Sequence, residues 1–542
     1  MELHYATIWE SIADTIPEAT AVVHGDTVRS WAEYDERAAR VAAAYAAAGL
    51  RHDSKIGLYM YNSSEYLEAQ YGGFKIRGVP VNVNYRYLDD ELCYLLDNAD
   101  AEALVFHSSL GDRVARIAPR LPKLKLLIEV DDGDAGQVDG AVRYDDIIST
   151  CAPFARIARS DDDIYMLYTG GTTGMPKGVM YDMATHVNLF LRSGFPFLGQ
   201  PVPQTADEVA PIVQAIAESG KRLIALPCAP LMHGTGLWLG AFAAHLTGGE
   251  VITLTSRTLD PHEVLRTTQA RRVTSLVIVG DAFAKPLLAA MEEAADRGER
   301  YDLSSLVVIL SSGVMWTTEV KEALLERIPQ VLLFDAIGST EGSMGNQMST
   351  RGGSTATAKF TQNPTTKVFT DDGREVQPGS DEIGLVAAGG FVPIGYYKDP
   401  EKTARTFRTI DGVRYAFPGD FAQVAADGTL ILLGRGSQVI NSGGEKVFPE
   451  EVEEAVKRVP GVLDCLVVGI DDERFGQAVA AVAATDGTTL DEAAVIAHVK
   501  AELAHYKAPK RVVFVREVPR APNGKADYKT ARQYILDFTS PS

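Results

Sequence analysis

Apolar residues along this chain fall into two recurring patterns. Unbroken apolar runs appear at KIGLYMY (55–61), EALVFH (102–107), IYMLYT (164–169), KRLIALP (221–227), VITL (251–254), VTSLVIVG (273–280), SLVVILSSG (305–313) and QVLLFDAIG (330–338). Runs this short, bounded by turn residues, predict strands buried on both faces. Between several of them, apolar positions recur at three- and four-residue spacing, as in SEYLEAQYGGFKIR (64–77) and TTEVKEALLERI (317–328), which predicts helices with one buried face. Strands alternating with helices over the first 430 residues predict an α/β protein with parallel or mixed sheets covered on both sides. Ligands in such folds sit in the loops that follow the strands.

The pattern changes at LILLGRGSQVINSGGEKVFPEEVEEAVKRVPGV (430–462). A strand ends at Gly434-Arg435-Gly436-Ser437, a turn follows at Asn441-Ser442-Gly443-Gly444, and Pro449 opens a helix with Glu450 and Glu451 in its first turn. We therefore expect a large multi-sheet N-terminal domain over 1–435 and a small α+β C-terminal domain over 436–542. The stretch 196–221, proline-rich early and helical later, fits a surface excursion better than a lid or an inserted device.

Composition narrows the function classes. With 52 Lys and Arg against 72 Asp and Glu, the net charge of −20 argues against general nucleic-acid binding and against electrostatic docking on an anionic membrane. The four cysteines, Cys93, Cys151, Cys228 and Cys465, are far apart and form no CxxC pair, so neither a zinc site nor a disulfide framework is expected. No secretory signal opens the chain and no run reaches the ~18 apolar residues of a membrane span, so the expectation is a cytoplasmic protein without integral membrane association. Its size is compatible with a homodimer.

One stretch asks for chemistry: YTGGTTGMPKG, residues 168–178. Gly170, Gly171 and Gly174 allow backbone N–H groups to converge on a ligand, Thr169, Thr172 and Thr173 add hydroxyls, and Lys177 adds a full positive charge. A polyphosphate is the natural guest. A Walker A loop is excluded, because that motif needs Gly before its lysine and Ser or Thr after it, and here Pro176 and Gly178 flank Lys177.

This run resembles the phosphate-binding signature of the adenylate-forming superfamily, which includes acyl-CoA synthetases, adenylation domains and luciferases. Further motifs follow in that family's order: PLMHGTG (230–236), SSGV (311–314), DAIGSTEG (335–342), YAFPGD (415–420), GRGSQVINSGGEKVFPEEVE (434–453) and PNGKADY (522–528). The resemblance implies ATP, Mg²⁺ and coenzyme A as cosubstrates and metal, and a small C-terminal domain that is mobile. It implies that Lys177 holds the β- and γ-phosphates, that Thr340 meets the α-phosphate and that Glu341 binds Mg²⁺. Ser312, Gly313, Asp335, Ala336, Ile337, Gly338 and Ser339 would line the adenine side, and Arg435 with Asp420, which a turn at Pro418-Gly419 would aim outward, the ribose. Lys525 would steady the adenylation transition state. Ser442, Gly443, Gly444, Glu445 and Lys446 would face the site after the domain turns and let the pantetheine arm pass. His233 would gate the carboxylate and thiol channel, and the glycines beside it, Gly234 and Gly236, suggest close approach by a ligand.

For the acid, the resemblance suggests a pocket drawn from His233, Thr235, Trp238, Gly313, Ile337 and Gly338. Trp238 either closes a channel or belongs to the core. The family often places an aromatic where Ile337 stands, and Asp or Lys at the hinge where Ser437 stands. WESIADTIPEATAVVHGD, NVNYRYLDDELCYLLDNADAEALVFH and SSGVMW resemble bacterial long-chain acyl-CoA synthetases, especially those acting on steroid side-chain acids such as 3-oxocholestenoate. The expected function is ligation of an apolar carboxylic acid to coenzyme A through acyl-AMP. The alternatives are an acyl-AMP ligase that loads a carrier protein and a non-catalytic acyl or nucleotide sensor.

Overall fold

The computed structural model describes every residue except 1, 134–137, 172–173, 315, 443–444, 473–475, 522–523 and 540–542. The chain divides into two compact units, one of residues 1–343, 347–355 and 389–416, the other of 344–346, 356–388 and 417–542.

The first unit carries the apolar runs. Five parallel strands run side by side in the order Val79–Asn82, Lys55–Tyr59, Ala101–His107, Leu126–Val130, Val142–Arg143. A second parallel array runs Thr20–His24, Glu250–Thr253, Ile224–Pro227, Ser275–Ile278, Val308–Ser312, Leu332–Ser339, with Thr27–Ser30 added antiparallel at its edge. The helices expected at 64–77 and 317–328 form as Ser64–Lys75 and Thr318–Arg327. Parallel strands need crossovers and cover on both faces, which is why their sequences lack alternation.

One departure from the expectation has a clear cause, and one expectation holds. The glycine-rich run is a β-hairpin: Ile164–Gly171 pairs antiparallel with Gly174–Asp182, Lys177 lies opposite Thr169, and Gly395–Tyr396 adds a third strand. Tyr165, Leu167, Val179 and Tyr181 are buried on it, so apolar burial carries the ladder through the glycines. The excursion at 196–221 ends in helix Val209–Glu218, which buries Val209, Val213 and Ile216 and packs on the N-terminal helix Tyr5–Thr15. It is a packed surface element.

The second unit carries two sets of strands. One is antiparallel, with Lys359–Gln362, Thr429–Arg435, Asp420–Val424, Gly384–Ala388 and Thr366–Phe369 in that order. The other is built on the long pair Val462–Asp472 and Gly476–Thr485, with Ile440–Ser442 and Arg511–Val515 beside Gly476–Thr485. Helix Pro449–Lys457 starts with proline in its first turn and with Glu450 and Glu451, as expected. Among the described residues no helix is long and apolar enough to cross a membrane.

Candidate active site

The carboxyl ends of adjacent parallel strands bring the site residues of the first unit together. Ser312 ends its strand in register with Ala336. Gly313 follows with φ +93°, a left-handed conformation that favours glycine. Strand Leu332–Ser339 then delivers Thr340 and Glu341. Along it Asp335 and Ile337 are buried on one face, whereas Gly338 is exposed. Asp335 is paired at 2.9 Å with the fully buried Lys321, and burial raises its carboxyl in spite of that cation.

Lys177 and Glu341, far apart in sequence, meet here. Lys177 Nζ lies 2.8 Å from Glu341 Oε1. Tyr396 completes a triangle: Lys177 donates to its hydroxyl at 2.8 Å, and that hydroxyl donates to Glu341 Oε1 at 2.7 Å. The third hairpin strand explains the placement. Tyr396 stands opposite Val179, two residues from Lys177 and on the same face, so the two side chains are diagonal neighbours. The Lys177 ammonium is also 4.1 Å from the Tyr396 ring centroid. Burial alone would push the Glu341 carboxyl up. The charge of Lys177, with hydrogen bonds from Lys177, Tyr396 and Ser339, outweighs it and holds Glu341 below the ordinary glutamate range. Tyr181 donates to the Thr340 carbonyl at 3.0 Å, fixing the backbone beside Glu341.

Among the described residues no three His, Cys, Asp or Glu side chains group as a metal cage. Mg²⁺ keeps several waters and takes one or two carboxylates plus substrate phosphates. Glu341, an ionised and buried carboxylate, fits as the protein's ligand.

His233 and Thr235 are half-buried at the start of the π-helical segment Thr235–Phe242. The glycines around them answer to the protein itself. A Cβ on Gly236 would lie 2.5 Å from the carbonyls of Ala229 and Pro230, and one on Gly234 would lie 3.3 Å from the Trp238 ring. They allow close chain packing, where the sequence suggested close approach by a ligand. Trp238 is 8% exposed, donates to the Tyr165 hydroxyl at 2.6 Å and stands edge-on to His186 at 4.9 Å. It belongs to the aromatic core, with at most one edge left for a pocket.

In the second unit, Asp420 and Arg435 face each other in register at the ends of two antiparallel strands, with Arg435 Nε donating to Asp420 Oδ1 at 3.1 Å. Asp420 was expected to be aimed outward by a turn. It instead opens strand Asp420–Val424 and is buried, because the ladder to Thr429–Arg435 starts at that residue. Lys525 is exposed; Ala521 N donates to the Lys525 carbonyl at 2.7 Å and Arg520 donates to the Gly524 carbonyl at 3.0 Å. Ser442 is buried in strand Ile440–Ser442. Thr172, Thr173, Gly443 and Gly444 lie outside the described residues. So do the side chains of Glu445 and Lys446, whose backbone is in strand Glu445–Val447, and nothing is described of the surroundings of Gly170, Gly171 and Gly174 beyond their hairpin strands.

Two residues escaped the sequence reading. Tyr396 gave no signal beyond its place in GYYKDP. Asn82, at the end of a buried strand, donates to the carbonyls of Tyr168 (2.8 Å) and Met232 (2.6 Å) and accepts from Tyr168 N (2.7 Å). It fastens the hairpin to the 230–236 segment, and a lone polar residue closing an apolar VPVN run was the available hint.

The AMP-binding enzyme family model matches residues 9–397, and the AMP-binding enzyme C-terminal domain model matches 451–525. The chain belongs to the AMP-binding enzyme family. It is 41% identical to a medium/long-chain-fatty-acid–CoA/3-oxocholest-4-en-26-oate–CoA ligase of Mycolicibacterium smegmatis, over 98% of this chain and 96% of that one. It is 40% identical to a 3-oxocholest-4-en-26-oate–CoA ligase of Rhodococcus rhodochrous, again over 98% and 96%. Among solved structures, ATP-bound MatB from Rhodopseudomonas palustris superposes with a TM-score of 0.82 at 25% identity, covering 99% of this chain and 100% of that one. In this family member, then, the two ends of the Lys177–Glu341 ion pair are the two residues that the resemblance assigned to phosphate and metal.

Proposed function

We propose that this chain is an AMP-forming acyl-CoA ligase for apolar carboxylic acids, taking medium- to long-chain fatty acids or steroid side-chain acids. The observation that carries the chemistry is the Lys177–Glu341–Tyr396 triangle, a cation and an ionised carboxylate held together beside a glycine-rich hairpin. The activities named for the two relatives support the acid class. ATP and coenzyme A are intracellular, which supports a cytoplasmic enzyme.

In the first half-reaction the acid's carboxylate oxygen attacks the α-phosphorus of ATP, the bond to the β-phosphate oxygen breaks, and pyrophosphate leaves. Lys177 would neutralise the β- and γ-phosphates as that charge builds. Glu341 would hold Mg²⁺, which when bound screens the anionic oxygens from the incoming carboxylate. Lys177 and Tyr396 share Glu341 Oε1 here, so Lys177 would move from carboxylate to phosphate when nucleotide enters, while the Tyr396 hydroxyl keeps Glu341 ionised and oriented toward the ion. Ser312, Gly313 and the 335–339 strand end would accept adenine, and Asp420, steadied by Arg435, the ribose hydroxyls. Lys525 would bridge the carboxylate and the α-phosphate. In the second half-reaction the thiol of coenzyme A attacks the acyl carbon and AMP leaves. Residues 436–542 would rotate as a body about Gly436, exchanging Lys525 for the 442–446 turn.

Competing palmitate, octanoate and a cholestenoate-type acid for one enzyme, with thioester products quantified by mass spectrometry, tests the acid class. Preference for a small aromatic or amino acid would overturn it.

A further inference from the structure

Asn82 ends strand Val79–Asn82 in the first unit, and its side chain is buried. Every group of its amide is engaged. Oδ1 accepts from Tyr168 N–H at 2.7 Å, and the two Nδ2 hydrogens go to the carbonyls of Tyr168 at 2.8 Å and of Met232 at 2.6 Å. Strand Ile164–Gly171 is at the edge of its three-stranded sheet. An edge leaves backbone N–H and C=O groups without a ladder partner, and at Tyr168 the amide supplies both. Tyr168 precedes Thr169, which stands opposite Lys177, and Met232 precedes His233. One side chain therefore joins the backbone entering the glycine-rich hairpin to the backbone entering the segment assigned to the acid.

The same five-stranded sheet supports that segment a second time. Asn62, just past the end of the neighbouring strand Lys55–Tyr59, accepts from Leu231 N–H at 2.7 Å and donates to the Ala229 carbonyl at 3.3 Å. The Tyr66 hydroxyl donates to the Leu231 carbonyl at 3.3 Å. These bonds end on residues 229–231, and none of them includes the hairpin. Trp238 does reach strand Ile164–Gly171, donating to the Tyr165 hydroxyl at 2.6 Å, but between two side chains and three residues before Tyr168. Asn82 holds backbone on both sides through one short side chain, which is the stiffer link.

We propose that Asn82 is a positioning residue for acyl-adenylate formation, setting the support of the phosphates against the support of the acid. This rests on the function proposed above, in which the hairpin takes the phosphates and the segment from His233 takes the acid. In the first half-reaction two separate ligands must meet with a carboxylate oxygen in line with the α-phosphorus. A displacement of one support relative to the other is then paid in rate, because reacting groups must be held within a narrow geometry. In the second half-reaction acyl group and AMP are already one molecule. The covalent bond between them replaces the tie, so Asn82 has nothing left to align.

The full chain is compared with N82A in three measurements. These are single-turnover pyrophosphate release with saturating MgATP and octanoate or palmitate, thioester formation from supplied acyl-AMP and coenzyme A, and MgATP binding without acid by equilibrium dialysis. Pyrophosphate release should slow by about 100-fold, while the thioester rate and the Kd for MgATP stay within about threefold of wild type. N82D keeps the shape and the bond from Tyr168 N–H but can donate to only one of the two carbonyls. It decides the matter if N82A fails to fold, with an expected loss of about tenfold, the equivalent of one hydrogen bond. N62A frees residues 229 and 231 but leaves the hairpin tied, and it should lose less than N82A. Unchanged pyrophosphate release in the folded Asn82 variants, an equal loss in both half-reactions, or a loss in N62A as large as in N82A would overturn the proposal. Wild-type protein that releases no pyrophosphate with octanoate, palmitate or a cholestenoate-type acid would instead overturn the function on which it rests.

Discussion

Replacing Tyr396 by Phe removes a single oxygen from the centre of the site. The ring stays: it packs on Phe407 with centroids 5.4 Å apart and keeps the Lys177 ammonium over its face at 4.1 Å. What goes are two contacts to charged partners, 2.8 Å to Lys177 and 2.7 Å to Glu341. A hydrogen bond to a charged group is worth about 1.5–3 kcal/mol, and losing the one to the buried carboxylate sets the scale. Expressed in binding, that is a rise of about 10- to 100-fold in the KM for MgATP. A pH effect accompanies it. Burial pushes Glu341 up and Lys177, Tyr396 and Ser339 push it down, so removing one of the opposing groups raises its pKa. The contribution of an ionised Glu341 is present above its folded-state pKa and lost as pH falls through it. The acid limb of kcat/KM should therefore move to higher pH. Pyrophosphate release at varied MgATP and pH measures both effects. Tyr397→Phe, which removes a hydroxyl 2.7 Å from Asp100 on the next residue, is the control. A Tyr396→Phe enzyme with wild-type KM and an unmoved acid limb would refute the coupling of this hydroxyl to the site.

Other substitutions test the remaining parts. Lys525→Ala should abolish adenylation while sparing thioester formation from supplied acyl-AMP; equal loss of both half-reactions would sink the two-conformation scheme. Gly444→Trp should do the reverse, leaving pyrophosphate release and blocking transfer to coenzyme A, and normal thioester yield would rule out the channel there. Gly434→Ala forces a Cβ to 2.0 Å from Glu450 Oε2 at φ +126°. It should destabilise the second unit by about 1–3 kcal/mol in denaturant unfolding, and an unshifted midpoint would show that the carboxyl is not fixed where it lies.

Much of the frame was legible because burial on both faces writes itself into sequence. The parallel strands at 55–59, 101–107, 224–227, 250–253, 275–278, 308–312 and 332–339 fell within or close to the apolar runs, those at 20–24, 79–82, 126–130 and 142–143 lay outside them, and Pro449 with Glu450 and Glu451 marked a helix start that formed. What escaped depends on long-range register. Nothing local says that Tyr396 pairs with Val179, so its meeting with Lys177 and Glu341 was invisible. The glycines at 234 and 236 looked like ligand-approach glycines, but sequence spacing cannot distinguish a ligand's surface from a neighbouring carbonyl. Asp420 reads as a turn residue because Pro418-Gly419 precede it, yet the antiparallel pairing that buries it is made with residues 430–435.

The most direct test of the central claim is product stoichiometry with ATP, Mg²⁺, coenzyme A and an apolar acid. The account predicts one AMP and one pyrophosphate for each acyl-CoA formed, with thioester made from a medium- or long-chain fatty acid or a steroid side-chain acid. Acyl-AMP that accumulates and is untouched by coenzyme A, or ADP in place of AMP, would contradict it.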